Sequence, residues 1–164
     1  MGAWQRRRKW YDLAVPFRTI LIATDFSEHS DAAARCGLRV AEAFGSSVLF
    51  LHVFDVSQLP IINAYPYYYG RLNQEMVDEM RERAEAALGE FVKKHAGTRS
   101  VERKMVAGKP ASQILELARE RGVDLIVIGT TGMGRVRELL GSVVHAVVRE
   151  SRVPVLTVRE YQDK

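Results

Sequence analysis

The chain has 164 residues, with 24 Lys and Arg against 20 Asp and Glu, one cysteine and 47% hydrophobic residues. That is the profile of one globular domain, long enough to bury about 70% of its unfolded surface without covalent staples. A single cysteine excludes an intramolecular disulfide framework, and no apolar run approaches the ~20 residues that cross a bilayer, so a reduced, cytoplasmic setting without a transmembrane segment is expected.

The charge excess is local. Arg6, Arg7, Arg8 and Lys9 lie in the first ten residues, which hold no acid, and residues 11–164 balance 20 basic against 20 acidic side chains. Residues 1–16 therefore read as a basic aromatic arm, with Trp4, Trp10 and Tyr11 among its cations, ahead of a single domain over 17–164. Interleaved rings and cations suit nucleic acid or an anionic membrane surface. A solvated tail is the plainer reading, one packed on the body or on a second subunit is a further alternative, and no specific nucleic acid is expected.

Thr19 to Thr24 is a β-branched apolar run that predicts a buried strand, followed by a helix over Ser27 to Phe44 that Gly45 stops. Ser46 to Val53 is a second strand. A loop over about 54–70 carries Tyr65, Tyr67, Tyr68 and Tyr69, which could stack on a base, line a dimer interface or simply pack as a loop. Then a long helix over about Arg71 to His95 places Met76, Met80, Ala84, Ala87, Leu88 and Phe91 on one face, the pattern of a core stripe. Residues 100–106 make a more polar, edge-like strand, and Pro110 opens a helix to about Arg121. Asp124 to Ile128 is the most hydrophobic strand. After the glycine-rich segment 129–134 a helical region runs to about Ser151, and Val153 to Val158 closes the domain as a fifth strand.

Strands alternating with helices predict an α/β fold with a parallel sheet covered on both faces. In such open, Rossmann-like sheets the ligand sits beyond the carboxyl ends of the strands, where the strand order reverses. The places to search are thus Thr24-Asp25-Phe26-Ser27, His52-Val53 and the segment from Gly129 to Ser142. If the order is 3-2-1-4-5, Asp25 faces the Gly129 loop across the crevice.

Within 129–142 the glycines allow backbone N–H groups to meet an anion without a Cβ in the way. Gly141-Ser142 then opens a helix whose free N–H groups and dipole favour phosphate. Arg135 and Arg137 could add charge-assisted contacts. A plain strand-to-helix turn with Ser142 as N-cap accounts for the same residues without a ligand. Neither Gly-x4-Gly-Lys-Ser/Thr nor Gly-x-Gly-x-x-Gly after the first strand occurs.

Taken together, six segments resemble the universal stress protein family in order and spacing. They are Ala23 to Ser27, Leu51 to Val53, Val106 to Pro110, Val123 to Gly129, Leu140 to Val143 and Val153 to Val158. The resemblance runs from about Phe17 to Arg159. It implies an open five-stranded parallel sheet in the order 3-2-1-4-5 with helices on both faces, and a homodimer through the last strand, Val153 to Val158. It also implies ATP binding, since one branch of the family carries Gly-x2-Gly-x9-Gly-Ser/Thr and Gly129, Gly132, Gly141 and Ser142 fall on that pattern. Eight residues separate Gly132 from Gly141 here, one fewer than in the pattern.

By the same resemblance, Ala23, Thr24 and Asp25 contact the nucleoside, Val53 meets adenine, and Ile128 and Gly129 flank base and ribose. Gly132 approaches the phosphates, and Gly141, Ser142, Val143 and Val144 bind phosphate at the helix start. Magnesium could be recruited by the phosphates and Asp25.

The remaining candidates are weaker. His29, His52, His95 and His145 show no metal-ligand spacing with one another or with Cys36, which reads as a small core residue. Ser142 and His145 lie three apart, but nothing supplies the third member of a hydrolase, so no catalytic residue is assigned. The expected function is an ATP-binding, nucleotide-responsive regulatory homodimer of the stress response. A nucleotide-free adaptor module of the same fold, or a slow ATP hydrolase, are the alternatives.

Overall fold

The computed structural model describes residues 17–55, 57, 74–130 and 140–160. The basic arm, the tyrosine-rich loop, Gly132, Arg135 and Arg137 lie outside the described residues. Five strands are present: β1 (Thr19–Thr24), β2 (Ser47–Phe54), β3 (Glu102–Ala107), β4 (Leu125–Gly129) and β5 (Val155–Val158). Four helices alternate with them among the described residues: α1 (Glu28–Phe44), α2 (Gln74–Ala96), α3 (Pro110–Glu120) and α4 (Ser142–Glu150).

All neighbours pair in parallel in the order β3-β2-β1-β4-β5, the order the sequence led us to expect. The apolar runs of β1 and β4 follow from this placement. Ile22 is flanked in register by Phe50 on one side and Val127 on the other, and helices cover both faces of the central strands. β3 and β5 are the edges and hold no fully buried residue, and β3 is the more polar of the two.

Alternation along the strands sorts side chains into two cores. Ile20, Ile22, Val48, Phe50, Leu125 and Val127 meet Ala33, Ala34 and Ala41 of α1 and Leu88 and Phe91 of α2. Leu21, Ala23, Leu49, Leu51, Ile126 and Ile128 meet Ile114, Leu117 and Ala118 of α3 and Val144 and Val147 of α4.

The helix α1 begins at the N-cap Ser27, whose side chain accepts from Ser30 N–H, and ends at Gly45, whose positive φ of 66° lets Ser46 N–H reach back to Ala41. Beyond β5, Glu160 ties back to α1, its N–H donating to His29 Nδ1 at 3.2 Å and its carboxylate pairing with Arg35 at 2.7 Å.

Three sequence expectations change. In α2 only Leu88 and Phe91 of the expected stripe are buried, while Met76 and Ala87 are exposed and Met80 and Ala84 half-buried. A 23-residue helix is about 35 Å long, against roughly 20–26 Å for strands of six to eight residues. Only its C-terminal half has sheet beneath it. The fifth strand is shorter than Val153 to Val158, because Pro154 has no N–H for the ladder; its carbonyl still accepts from Ile126 N–H at 3.0 Å. Cys36 is half-buried rather than fully in the core.

Candidate functional site

The connection from β1 passes over the α1 face, and that from β4 over the α4 face, so the strand order reverses between β1 and β4. Their carboxyl ends flank the switch point, where such sheets take their ligands. At the end of β1, Asp25 is fixed by the first turn of α1. Its Oδ1 accepts from Ser27 N–H (3.1 Å), Ser27 Oγ (2.6 Å) and Ser30 Oγ (2.5 Å). Ser30 Oγ in turn accepts from Asp25 N–H at 3.1 Å, and Ser30 is only 3% exposed. Three donors on one oxygen hold the carboxylate's orientation, and no described residue donates to Oδ2. That oxygen is available to a ligand hydroxyl or amine.

Phe26, next in the chain, has φ 66° and is the non-glycine residue with positive φ among those described. Such a backbone costs an aromatic residue roughly 1–2 kcal/mol. It is held by Phe26 N–H donating to Thr24 Oγ1 at 3.0 Å, and by the ring, stacked 4.3 Å from His52 and 5.8 Å from Phe91. The His52 Nδ1–H donates to the Thr24 carbonyl at 2.9 Å. Burial pushes the His52 imidazole below its ordinary pKa; the Thr24 carbonyl and the charges of Asp25 and Glu85 act the other way without cancelling it. Behind it, the enclosed His95 donates from Nε2 to Asp31 at 2.6 Å, and Lys94 reaches the same carboxylate at 2.8 Å. Burial raises Asp31, and the hydrogen bonds from Lys94 and His95 more than offset this, leaving it below the usual carboxylate value.

Opposite this polar edge, the α3/α4 side supplies an apolar wall. Ala23, Ile128 and Val144 are buried in one cluster, with Val53, Val106 and Val143 half-buried against it. The structure thus brings five of the expected contact residues, Ala23, Val53, Ile128, Val143 and Val144, to the same face of the sheet.

Gly129 sits differently. A Cβ there would lie 2.7 Å from the His29 backbone carbon and 2.8 Å from His29 O and Cβ, so the first turn of α1 requires the glycine. Its bare Cα faces α1, away from the apolar wall.

The helix α4 starts with Gly141 as N-cap (φ −59°, ψ 151°), and Ser142 is its exposed first residue. A capping role for Ser142 is therefore replaced: the cap position makes no side-chain hydrogen bond, and the first turn holds no acid. The leading N–H groups of the helix lack intrahelical partners by construction, and no acid of the first turn offsets their partial positive charge. Ser142 and His145 are both exposed.

Thr130 is a residue that motif reasoning passes over. Its N–H donates to Val158 O and its carbonyl accepts from Gly141 N–H, both at 2.9 Å, so it joins β4, β5 and the α4 cap. Its side chain is buried, and Oγ1 has no hydrogen-bond partner among the described residues. A polar residue directly after an unbroken buried strand was the signal available in the sequence. Among the described residues no group of three or more His, Cys, Asp or Glu could hold a metal ion, and no helix is long and apolar enough to cross a membrane.

An open parallel sheet in the order β3-β2-β1-β4-β5, with helices on both faces, defines a doubly wound α/β protein. Residues 16–159 match the Universal stress protein family, and the chain belongs to it. It is 36% identical over 148 residues to the universal stress protein MJ0531 of Methanocaldococcus jannaschii, covering 88% of this chain and 83% of that one. Among solved structures it is similar to MJ0577 of the same organism (TM-score 0.71, 29% identity, 91% of this chain and all of that one). It is also similar to a universal stress protein in complex with cAMP (TM-score 0.56, 27% identity, 88% of this chain and 98% of that one).

Proposed function

We propose that this universal stress protein binds ATP at the β1/β4 switch point and acts as a nucleotide-responsive regulatory homodimer of the cytoplasm. One observation carries the reading. The uncapped, acid-free start of α4 stands at the end of β4, beside the strand that ends in Asp25, with an apolar wall on the face between them. Cation-like helix start, fixed carboxylate and apolar surface match triphosphate, ribose and base respectively. The spacing of Gly129, Gly132, Gly141 and Ser142, and the cAMP complex of a family member, support a nucleotide over another anion. Gly132, Arg135 and Arg137 complete the phosphate side in this proposal, and Thr24, whose hydroxyl accepts from Phe26 N–H, shapes the nucleoside side. Magnesium would enter with the phosphates and meet Asp25 Oδ2.

The dimer is proposed through β5, the sheet edge whose outer side no described strand covers. Residues 1–16 would be an arm appended to the domain 17–164. Isothermal titration with ATP and magnesium tests the reading: saturable heat is expected, and its absence at millimolar ATP overturns it. The second reading, a nucleotide-free adaptor module, is favoured by the eight-residue spacing between Gly132 and Gly141; protein purified without added nucleotide and carrying neither ATP nor AMP would fit it.

A further inference from the structure

Along β4 the side chains alternate between the two cores: Leu125 and Val127 face α1, as does the bare Cα of Gly129, and Ile126 and Ile128 face α3 and α4. The ladder to β5 continues past the strand's last residue, from Ile126 N–H on Pro154 O to Thr130 N–H on Val158 O. Thr130 therefore continues the series of Ile126 and Ile128, and its side chain lies on the face where α4 begins. Its carbonyl is bonded to the cap residue Gly141 itself, so Thr130 and the helix start are neighbours.

Thr130 is 7% exposed, and its Oγ1 is the buried side-chain oxygen or nitrogen without a hydrogen-bond partner among the described residues. Leaving a buried hydroxyl unpaired is costly, and a valine of the same shape would avoid the cost. Both backbone groups of Thr130 are already used, so the hydroxyl is not needed to hold the turn. What it lacks is an acceptor, and the electropositive helix start beside it attracts an anion.

We infer that the Thr130 hydroxyl is a phosphate-binding donor, completing with the first N–H groups of α4 a site for a phosphate oxygen of the nucleotide. The inference rests on the nucleotide reading and adds to it a contact that the glycine motif does not contain. Because the hydroxyl is unsatisfied when the site is empty and paired when it is filled, it links occupancy to stability with opposite signs in the two states.

The test compares Thr130→Val and Thr130→Ser with the unaltered chain, using titration calorimetry with ATP, ADP and adenosine, and thermal melting without ligand. Thr130→Val should bind ATP and ADP about tenfold or more weakly, as befits a lost bond to a charged acceptor. Its adenosine affinity should be unchanged, and its ligand-free melting temperature should rise by about 2–4 °C. Thr130→Ser, which keeps the hydroxyl, should hold ATP within about threefold of the unaltered chain. Equal ATP affinity in Thr130→Val overturns the inference while leaving the nucleotide reading intact. An equal loss for adenosine overturns the assignment to phosphate. A ligand-free Thr130→Val that melts below the unaltered chain shows that the hydroxyl already has a partner and overturns it as well. Failure of the unaltered chain to bind any of the three removes the nucleotide reading and this inference together.

Discussion

On the α1/α2 side of the sheet, Ile20, Ile22, Phe50 and Val127 are fully buried, and α1 presses so closely that Gly129 has no room for a methyl group beneath His29. On the α3/α4 side the same strands carry an equally apolar row, but cover gives out at the carboxyl ends. There Val53, Val106 and Val143 are left half-buried, the α4 cap makes no side-chain hydrogen bond and the Thr130 hydroxyl is unpaired among the described residues. At the end of β4 the α1 side is closed tightly over Gly129, whereas the α3/α4 side holds an unpaired hydroxyl where a ligand is proposed. The buried side-chain atom left unsatisfied among the described residues thus lies where function is proposed, as expected when stability is traded for binding.

That contrast can be broken by substitution, beginning with the largest effect. Phe50→Ala, on the sealed face, should cost about 4 kcal/mol in urea unfolding, since the ring is fully buried. Should it cost under about 1 kcal/mol, the α1/α2 face is not the closed core described. Gly129→Val should cost about 2–3 kcal/mol by forcing α1 off the sheet; a neutral result would mean that α1 can shift freely and that the glycine answers to the ligand instead. Val53→Ala, on the open face, should cost only about 1 kcal/mol yet weaken ATP binding measurably, and unchanged affinity would remove the wall from the adenine site.

The smallest effect is on pH dependence. His52 has its pKa lowered in the fold, so the unfolded chain takes up the proton first and stability falls as pH drops through the ordinary imidazole value of 6.5. Asp31 is shifted in the carboxylate sense, and its contribution, present above its ordinary 3.8, is lost only at lower pH as its folded-state pKa is passed. His52→Gln should flatten the first part of the acid slope and leave the second, and melting curves between pH 7 and pH 3 would show an unaltered slope if His52 has no such role.

The strands were legible because a two-sided buried strand must be an unbroken apolar run, and Thr19–Thr24 and Leu125–Gly129 are such runs. The α2 stripe misled because helical periodicity reports a face and not what lies beneath it: Met76 and Leu88 share the pattern, and only Leu88 has sheet under it. At the site, Asp25 was legible from its position at a strand end, but the Ser27 and Ser30 hydroxyls that orient it were not singled out, since serines near a helix start read first as caps. Gly129 shows the limit of motif reasoning. A glycine demanded by helix packing and one demanded by phosphate look identical in sequence, and only the 2.7 Å approach to His29 separates them. Thr130 was missed because an unpaired hydroxyl is a property of three-dimensional surroundings and leaves no spacing.

The unequal finish of the two faces is tested most directly by amide chemical-shift mapping of the labelled chain during titration with ATP and magnesium. Val53, Thr130, Gly141, Ser142, Val143 and Val144 should shift with one common saturation curve, while Ala33, Ala41 and Leu88 stay in place. No shifts at millimolar ATP, or shifts centred on the basic groove of Arg35, Arg39 and Arg99 between α1 and α2, would contradict the account.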